Sequence, residues 1–468
     1  MLAKLNKENA KVSIDRPVKV LQFGDGNFLR GFVDWMIDVL NENTDFNGNI
    51  KVIAPLRKGR ATSPDHQDGL FHVVLNGIAD GIRVSDTRLI TSVSETIDPY
   101  LQNNAFLETV KDRNIKLLVS NSTESGIAFL DSDIDLTKPA ESFPAKVTQW
   151  LWQRFLHFKG DESVGIYFLP CELIQNNGDK LQEMVLKYAT VWQLPVEFTT
   201  WINDHNTFCN TLVDRIVTGY PKERARELNA ATGFEDEKLV AAEPYYLWVI
   251  ESKKQVEEIF PSRKAGLAVE FVSDLKPYHT RKVRILNGAH TAMMSIAYLR
   301  GLRTVREAIE DPDVFEFVEN AIRKEIIPTL PLPARELNKF ADEVIERFRN
   351  PFISHELASI ALNSISKFRV RVLPSILEYE LIKGVLPENL VRSFAALLLF
   401  YRGKWKGEKM PVKDDEGVAE FIREAWAEPT TKHFVDRILS NVHLWGEDLT
   451  MVSGLGVRLV KEIESMSA

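Results

Sequence analysis

"LQFGDGNFLRGF", residues 21–32, decides how this chain is read. The apolar run VKVLQF (18–23) leads into it, and Phe28, Phe32, Met36 and Leu40 follow at intervals of four. A strand that turns through glycines into a helix leaves the helix's first backbone N–H groups open above the turn, where they suit a phosphate. In a dinucleotide-binding turn the first glycine permits the bend. The second admits the pyrophosphate, and the third lets helix and strand pack closely. Gly24 and Gly26 supply the first two, and Leu29 stands where the third would be. On these residues alone the stretch reads either as a cofactor turn with an altered third position or as a plain strand–helix turn. After the next apolar run, IKVIAP (50–55), no acid stands ready for an adenosine ribose; Arg57, Lys58 and Arg60 come instead. That basic stretch reads as tolerance of a 2′-phosphate or as a solvated loop.

Further runs of the same kind, IKLLVSN (115–121) and VGIYFLP (164–170), are short, apolar and bounded by Gly, Pro or polar residues. They predict buried strands, and their alternation with helical spacing predicts a parallel sheet with helices on both faces. FHVVLNG and RVSDTRLITSV read as a hairpin-like excursion within that domain. From about residue 276 the spacing becomes helical almost throughout, as in PDVFEFVENAIRKEII and ISHELASIALNSISKF. The expected fold class is α/β, with a Rossmann-like N-terminal domain over 1–275 and a mostly α-helical C-terminal domain over 276–468. A chain of 468 residues is long enough for two cores.

Composition narrows the function classes. A net charge of −8 with no long basic block gives no support for a nucleic-acid partner. The most apolar stretch, FAALLLFY (394–401), is far short of the roughly 18 residues of a membrane span and reads as a buried helix. Two cysteines, Cys171 and Cys209, are too few for a disulfide framework. The polar first residues lack the apolar core of a signal peptide, so a cytoplasmic protein with a small-molecule substrate is expected, with no membrane partner.

"KVRILNGAH", residues 282–290, holds the candidate chemistry. Lys282, Asn287 and His290 are offset by five and eight residues, an arc of roughly 140° on a straight helix. An amine, an amide and an imidazole on one face suit a carbonyl that gains or loses a hydride. One group moves the proton, and others steady the charge on oxygen. A lysine serves as the proton donor when burial or neighbouring cations bring its pKa toward neutrality. The plainer reading is a polar stripe facing solvent. Gly288, inside a helical pattern at some cost in propensity, signals a close approach at that point.

Taken together, FGDGNFLRGF, QDGLFHVVLNG, LVSNSTESGI, LVDRIV (212–217) and KVRILNGAH resemble, in order and over nearly the whole chain, the polyol-specific long-chain dehydrogenases. That family includes mannitol dehydrogenase and the hexuronate reductases. PCELIQNNGD, PYHTRKVRILNGAHT and NPFISHELASIALNSISKFRVRVLPS look most like the hexuronate reductases.

The resemblance implies a nicotinamide-binding α/β domain, a helical substrate domain, NAD as cofactor and no metal. It makes Lys282 the general acid/base, gives Asn287 to the oxyanion site and sets His290 against the substrate. It turns the glycine stretch into a cofactor turn held by Leu21, Gln22, Phe23, Gly24, Asp25, Gly26, Asn27, Phe28, Leu29, Arg30, Gly31 and Phe32. The missing third glycine becomes a family trait, since the family's turn runs Gly-x-Gly-x-x-x-Arg and Arg30 fits it. Asp214 of the VDR element is expected near the substrate or the ribose. Mannitol-type members carry an oxyanion asparagine where this chain has Leu173, so Asn176 or Asn177 compensates, or Asn287 acts alone. A sugar-acid substrate needs a cation, and SKFRVR offers Lys367, Arg369 and Arg371. An extended segment would put all three on one side. Sister specificities within the family, and a nucleotide-sensing protein without catalysis, are the competing readings.

Overall fold

Val18–Phe23 (β1) is buried on both faces, and alternate residues feed two different cores. Val20 packs with Phe32, Met36 and Leu40 of the following helix, whereas Leu21 and Phe23 pack with Trp150, Phe168 and Phe198. A strand covered by helices on both sides is the condition for a parallel sheet. The computed structural model describes residues 2–54, 66–123, 125–252 and 256–468. Its internal contacts divide the chain into Met1–Asn76 with Val84–Leu275, and Gly77–Arg83 with Lys276–Ala468. Arg57, Lys58 and Arg60 lie outside the described residues.

In the first unit the strands after β1 are Asn49–Ile53 (β2), Phe71–Ala79 (β3), Ile82–Ile90 (β4), Val93–Ile97 (β5), Leu117–Ser120 (β6), Tyr167–Pro170 (β7), Thr207–Phe208 (β8), Asn210–Asp214 (β9), Val217–Gly219 (β10), Val240–Ala242 (β11), Leu247–Glu251 (β12) and Val269–Val272 (β13). Six of them form one sheet in the order β5-β2-β1-β6-β7-β8, parallel at every step. The order reverses between β1 and β6, so the carboxyl end of β1 faces a topological switch point. This is a Rossmann-type domain. Two smaller sheets, β10-β11-β3-β4 and β9-β12-β13, and a short parallel pairing of Ala3–Lys4 with Phe234–Glu235 make up the other sheets of the unit.

The expected hairpin is present as β3 and β4, joined by Asp80 and Gly81 at φ +52° and +72°. Positive φ at both central residues is what a tight two-residue hairpin demands, and Asp-Gly supplies it. The hairpin does not stay with the first unit. Its tip, Gly77–Arg83, counts with the second, where the Asp80 and Gly81 N–H groups donate to the Glu346 carboxylate at 3.1 and 2.6 Å.

The second unit is mostly helical. Glu388–Tyr401 lies at its centre with Phe394 to Phe400 fully buried, and packs on the helix that carries Met293, Met294 and Ala297. FAALLLFY is therefore a core helix, and among the described residues no helix is long and apolar enough to cross a membrane. Cys171 and Cys209 are both buried free thiols.

Candidate active site

The glycine turn is built as a cradle. Gly24 has φ +127°, a conformation that L side chains rarely adopt, and a Cβ there would meet the Asn121 carbonyl at 3.2 Å and Leu29 at 3.1 Å. Its N–H donates to the Ile53 carbonyl, and the buried Gln22 amide donates to its carbonyl at 3.1 Å. Gly26 stands just before Asn27, with nothing within 4 Å of where its Cβ would lie and no side chain capping the helix. Open space above uncapped N–H groups fits an anionic pyrophosphate. Leu21, Gln22, Phe23, Leu29 and Phe32 are buried, so they shape the turn from beneath. Asp25, Gly26, Asn27, Phe28 and Arg30 keep open surface.

The third glycine's packing role has moved to Gly31. A Cβ there would lie 3.0 and 3.1 Å from the two Cγ atoms of Val217 and 3.3 Å from Val240. The helix around it is not regular. Asn27–Leu29 and Trp35–Asn43 are α-helical, and Arg30–Asp34 between them is π-wound. Within that wide turn Asp34 is buried, and burial pushes its carboxyl up to about 7 against the pull of Arg30. Asp214 ends β9 and is buried in the same unit.

The second unit holds the other candidates. Its first long helix is α-helical over Lys276–Arg281, π-wound over Lys282–Asn287 and α-helical again over Gly288–Leu299. The straight-helix arc expected from spacing therefore does not apply. A π turn bonds i to i+5 and takes more residues, so Asn287 swings back toward the face of Lys282. Lys282, Asn287 and His290 all keep some exposed surface, while Arg281, Arg284, Ile285, Leu286, Gly288 and Ala289 around them are buried. Two arginines moor the helix. Arg281 pairs with Glu336 at 2.6 Å, and Arg284 donates to Ser375 and Glu378 at 2.8 and 2.9 Å.

Gly288 does mark a close approach, made by the protein itself. A Cβ there would lie 3.0 Å from the carbonyl oxygen of Arg371. SKFRVR is not extended: Ser364–Arg371 is a helix, entered through Asn363 at φ +51°. Its helical spacing comes from Ile365 and Phe368, both buried, with Phe368 against Phe394 and Trp445. Lys367 and Arg371, four residues apart, share a face. Arg369 leaves the group and lies against Gly446.

These cations surround two imidazoles. His290 sits 4.1 Å from the Phe348 ring and 5.0 Å, edge-on, from His355. Burial, followed by the charges of His355, Arg347 and Arg371, holds His290 well below the usual imidazole range. Burial and Lys367 lower His355 too, against the pull of Glu356. Burial lowers Arg371 and, with Arg371 beside it, Lys367. Among the described residues no carboxylate makes ion-pair contact with Lys367 or Arg371, although Asp414 tempers Lys367 from a distance. The result is a pair of half-buried cations close to two imidazoles that burial keeps neutral. It suits a carboxylate. His355 escaped sequence reading because its only signal is spatial: it lies 65 residues from His290 in the chain.

The departure at Leu173 is also resolved in part. Leu173 is exposed, and the Asn177 amide is spent: it donates to the carbonyls of Pro170, Glu172 and Thr211 and accepts from the Thr211 N–H. Asn177 therefore has no capacity left for a substrate oxygen, whereas Asn176 is exposed at φ +53°.

Comparison with known proteins agrees over the full length. Residues 18–261 match the Mannitol dehydrogenase Rossmann domain, and 274–467 match the Mannitol dehydrogenase C-terminal domain. An altronate oxidoreductase of Bacillus subtilis (strain 168) is 45% identical over 460 residues, covering 98% of this chain and 94% of that protein. One from Yersinia enterocolitica is 45% identical over 456 residues, covering 96% and 94%. Among solved structures, D-sorbitol dehydrogenase in substrate-free form superposes with a TM-score of 0.83 at 21% identity, covering 99% of this chain and 100% of that one. Pseudomonas fluorescens mannitol 2-dehydrogenase, in ternary complex with NAD and D-mannitol, gives 0.67 at 22% identity, covering 99% and 96%. At such identities these two structures speak for the fold.

The imidazole pair yields a pH prediction. Both rings refuse in the folded state a proton that the unfolded chain accepts below its ordinary 6.5, so stability is full above that pH and falls as pH drops through it. Each tenfold loss of proton affinity is worth about 1.4 kcal/mol. Tm is expected to fall between pH 7 and pH 5.5 in the wild type, and less steeply in a His290→Asn/His355→Asn double variant. Parallel Tm profiles would contradict the assignment.

Proposed function

This chain belongs to the mannitol dehydrogenase family, and from that membership we propose that it catalyses the NAD-dependent reduction of D-tagaturonate to D-altronate, reversibly, in the cytoplasm. The observation that carries the choice of a sugar acid is the cation pair Lys367 and Arg371, half-buried without a carboxylate of its own, beside Asn287 and His290. The altronate oxidoreductases at 45% identity support the same substrate.

The turn at Gly24 and Gly26 fits a dinucleotide. Its open cradle and uncapped helix N-terminus would hold the pyrophosphate, with Asp25, Asn27, Phe28 and Arg30 at the rim. A reduced nicotinamide held there would supply the hydride for the ketone carbon. Lys282 gives a proton to the oxygen of that ketone, which becomes the new hydroxyl; in oxidation Lys282 takes it back. Asn287 donates its amide N–H to the same oxygen while negative charge gathers there, and His290, kept neutral, adds a second donor. Arg371 grips the substrate carboxylate with its planar fork and Lys367 adds a point charge. Asn177 is spent within the fold, so the duty left open at Leu173 falls to Asn287 or to the exposed Asn176.

Tagaturonate, fructuronate and fructose with NADH or NADPH, and mannitol with NAD, followed by nicotinamide absorbance, test the specificity. Tagaturonate with NADH is expected to give the highest kcat/KM; faster turnover of fructose or mannitol contradicts the proposal. Lys282→Ala should lower kcat by about 10²- to 10⁴-fold with NADH binding nearly intact. Unchanged turnover would remove Lys282 from the chemistry. Arg371→Met should cost about 10- to 100-fold in kcat/KM for tagaturonate, the worth of a charged hydrogen bond, and little for fructose. Equal losses on both substrates would place Arg371 elsewhere.

A further inference from the structure

Arg215, the residue after Asp214, is 6% exposed, yet none of its bonds goes to a carboxylate side chain. Its Nη1 donates to the Gly31 carbonyl at 2.8 Å and its Nε to the Glu243 carbonyl at 3.0 Å. The guanidinium lies over the rings of Trp35 at 4.6 Å and Tyr246 at 5.2 Å. Gly31 and Trp35 belong to the helix that leaves the glycine turn, and Gly31 lies in its π-wound stretch. A side-chain donor on a helix-interior carbonyl is the kind of insertion that accompanies such a wide turn. From the other side, Gly31 is pressed against Val217 and Val240, so that a Cβ would lie only 3.0 to 3.3 Å from their methyl groups. The helix is thus held at one residue by a hydrogen bond and by a steric contact.

A buried charge is costly, and a surface arginine would have served charge balance without that cost. Here burial buys a rigid two-pronged donor, which lysine does not supply. We propose that Arg215 is a positioning residue for the cofactor: it fixes the π-wound turn of the helix below Gly24 and Gly26, and through its place beside Asp214 ties that helix to the end of β9. The proposal rests on the glycine turn being the dinucleotide site. It adds a residue that does not itself reach the cofactor, 184 residues away in sequence from the Gly31 carbonyl it holds.

The test is NADH titration by fluorescence together with steady-state kinetics and Tm, on wild type, Arg215→Lys and Gly31→Ala. Arg215→Lys is expected to raise Kd and KM for NADH about tenfold, as misplacement by a fraction of an ångström does, with kcat at saturating NADH nearly kept and substrate KM unmoved. A role in stability alone would lower Tm and leave that split absent. Should Arg215→Lys fail to fold, Gly31→Ala displaces the same helix from the opposite side and should raise KM for NADH, with relief by adding Val217→Ala. Wild-type NADH affinity in folded Arg215→Lys, or in Gly31→Ala, overturns the proposal. A wild-type protein that binds no NADH takes the reading of the turn down with it.

Discussion

The absence of a side chain at residue 288 is what the chemistry of the second unit depends on. It lets the last carbonyl of the Ser364–Arg371 helix close against the first α-helical turn after Asn287. A Cβ there would ask the Arg371 carbonyl, and the helix whose charge bears on His290, to give by a few tenths of an ångström. The first unit solves its own placement problem in the same manner, where Gly31 lets Val217 and Val240 reach the helix of the glycine turn. In both units the functional helix is π-wound near the glycine, so the wide turn and the close contact occur together. A wide turn shifts side chains off the regular helical face, and a neighbouring element packed into the helix keeps it there.

Electrostatics follows from that packing. Arg281 and Arg284 sit on the same helix as Lys282 but are paired, to Glu336 and Glu378, and act as moorings. Arg371 and Lys367 have no such partner in contact, and the two imidazoles between them stay neutral. Half-buried cations without a carboxylate in contact, beside imidazoles kept neutral, favour an anion over a neutral polyol. Lys367 is steadied by the Ile360 carbonyl, to which its Nζ donates at 3.1 Å, rather than by a carboxylate.

Much of this was legible in the residues. The apolar runs at 18–23, 117–120 and 167–170 read as strands because strands covered on both faces must be apolar throughout. The glycine stretch and the Lys–Asn–His helix stood out by residue type and spacing, but those alone left a plain turn and a solvated polar stripe open, and the family resemblance decided between the readings. The π-winding could not, since tertiary neighbours impose it. SKFRVR misled because its basic residues alternate with Phe368 and Val370, a period-two pattern; burial of Ile365 and Phe368 three apart made the helix win. Arg215 in the VDR element and His355 in NPFISHELAS lie in stretches that stood out, but nothing local shows what either touches. Their partners, Gly31 and His290, are 184 and 65 positions away, and only folding brings them together.

The most direct measurement is the kinetics of Gly288→Ala. Alanine favours a helix over glycine by about 1 kcal/mol, so a loss of activity in a folded variant would not come from local helix instability. If the contact with the Arg371 carbonyl builds the substrate site, KM for tagaturonate rises about tenfold or more while NADH affinity stays at the wild-type value. Wild-type kinetics for tagaturonate in that variant would contradict the account.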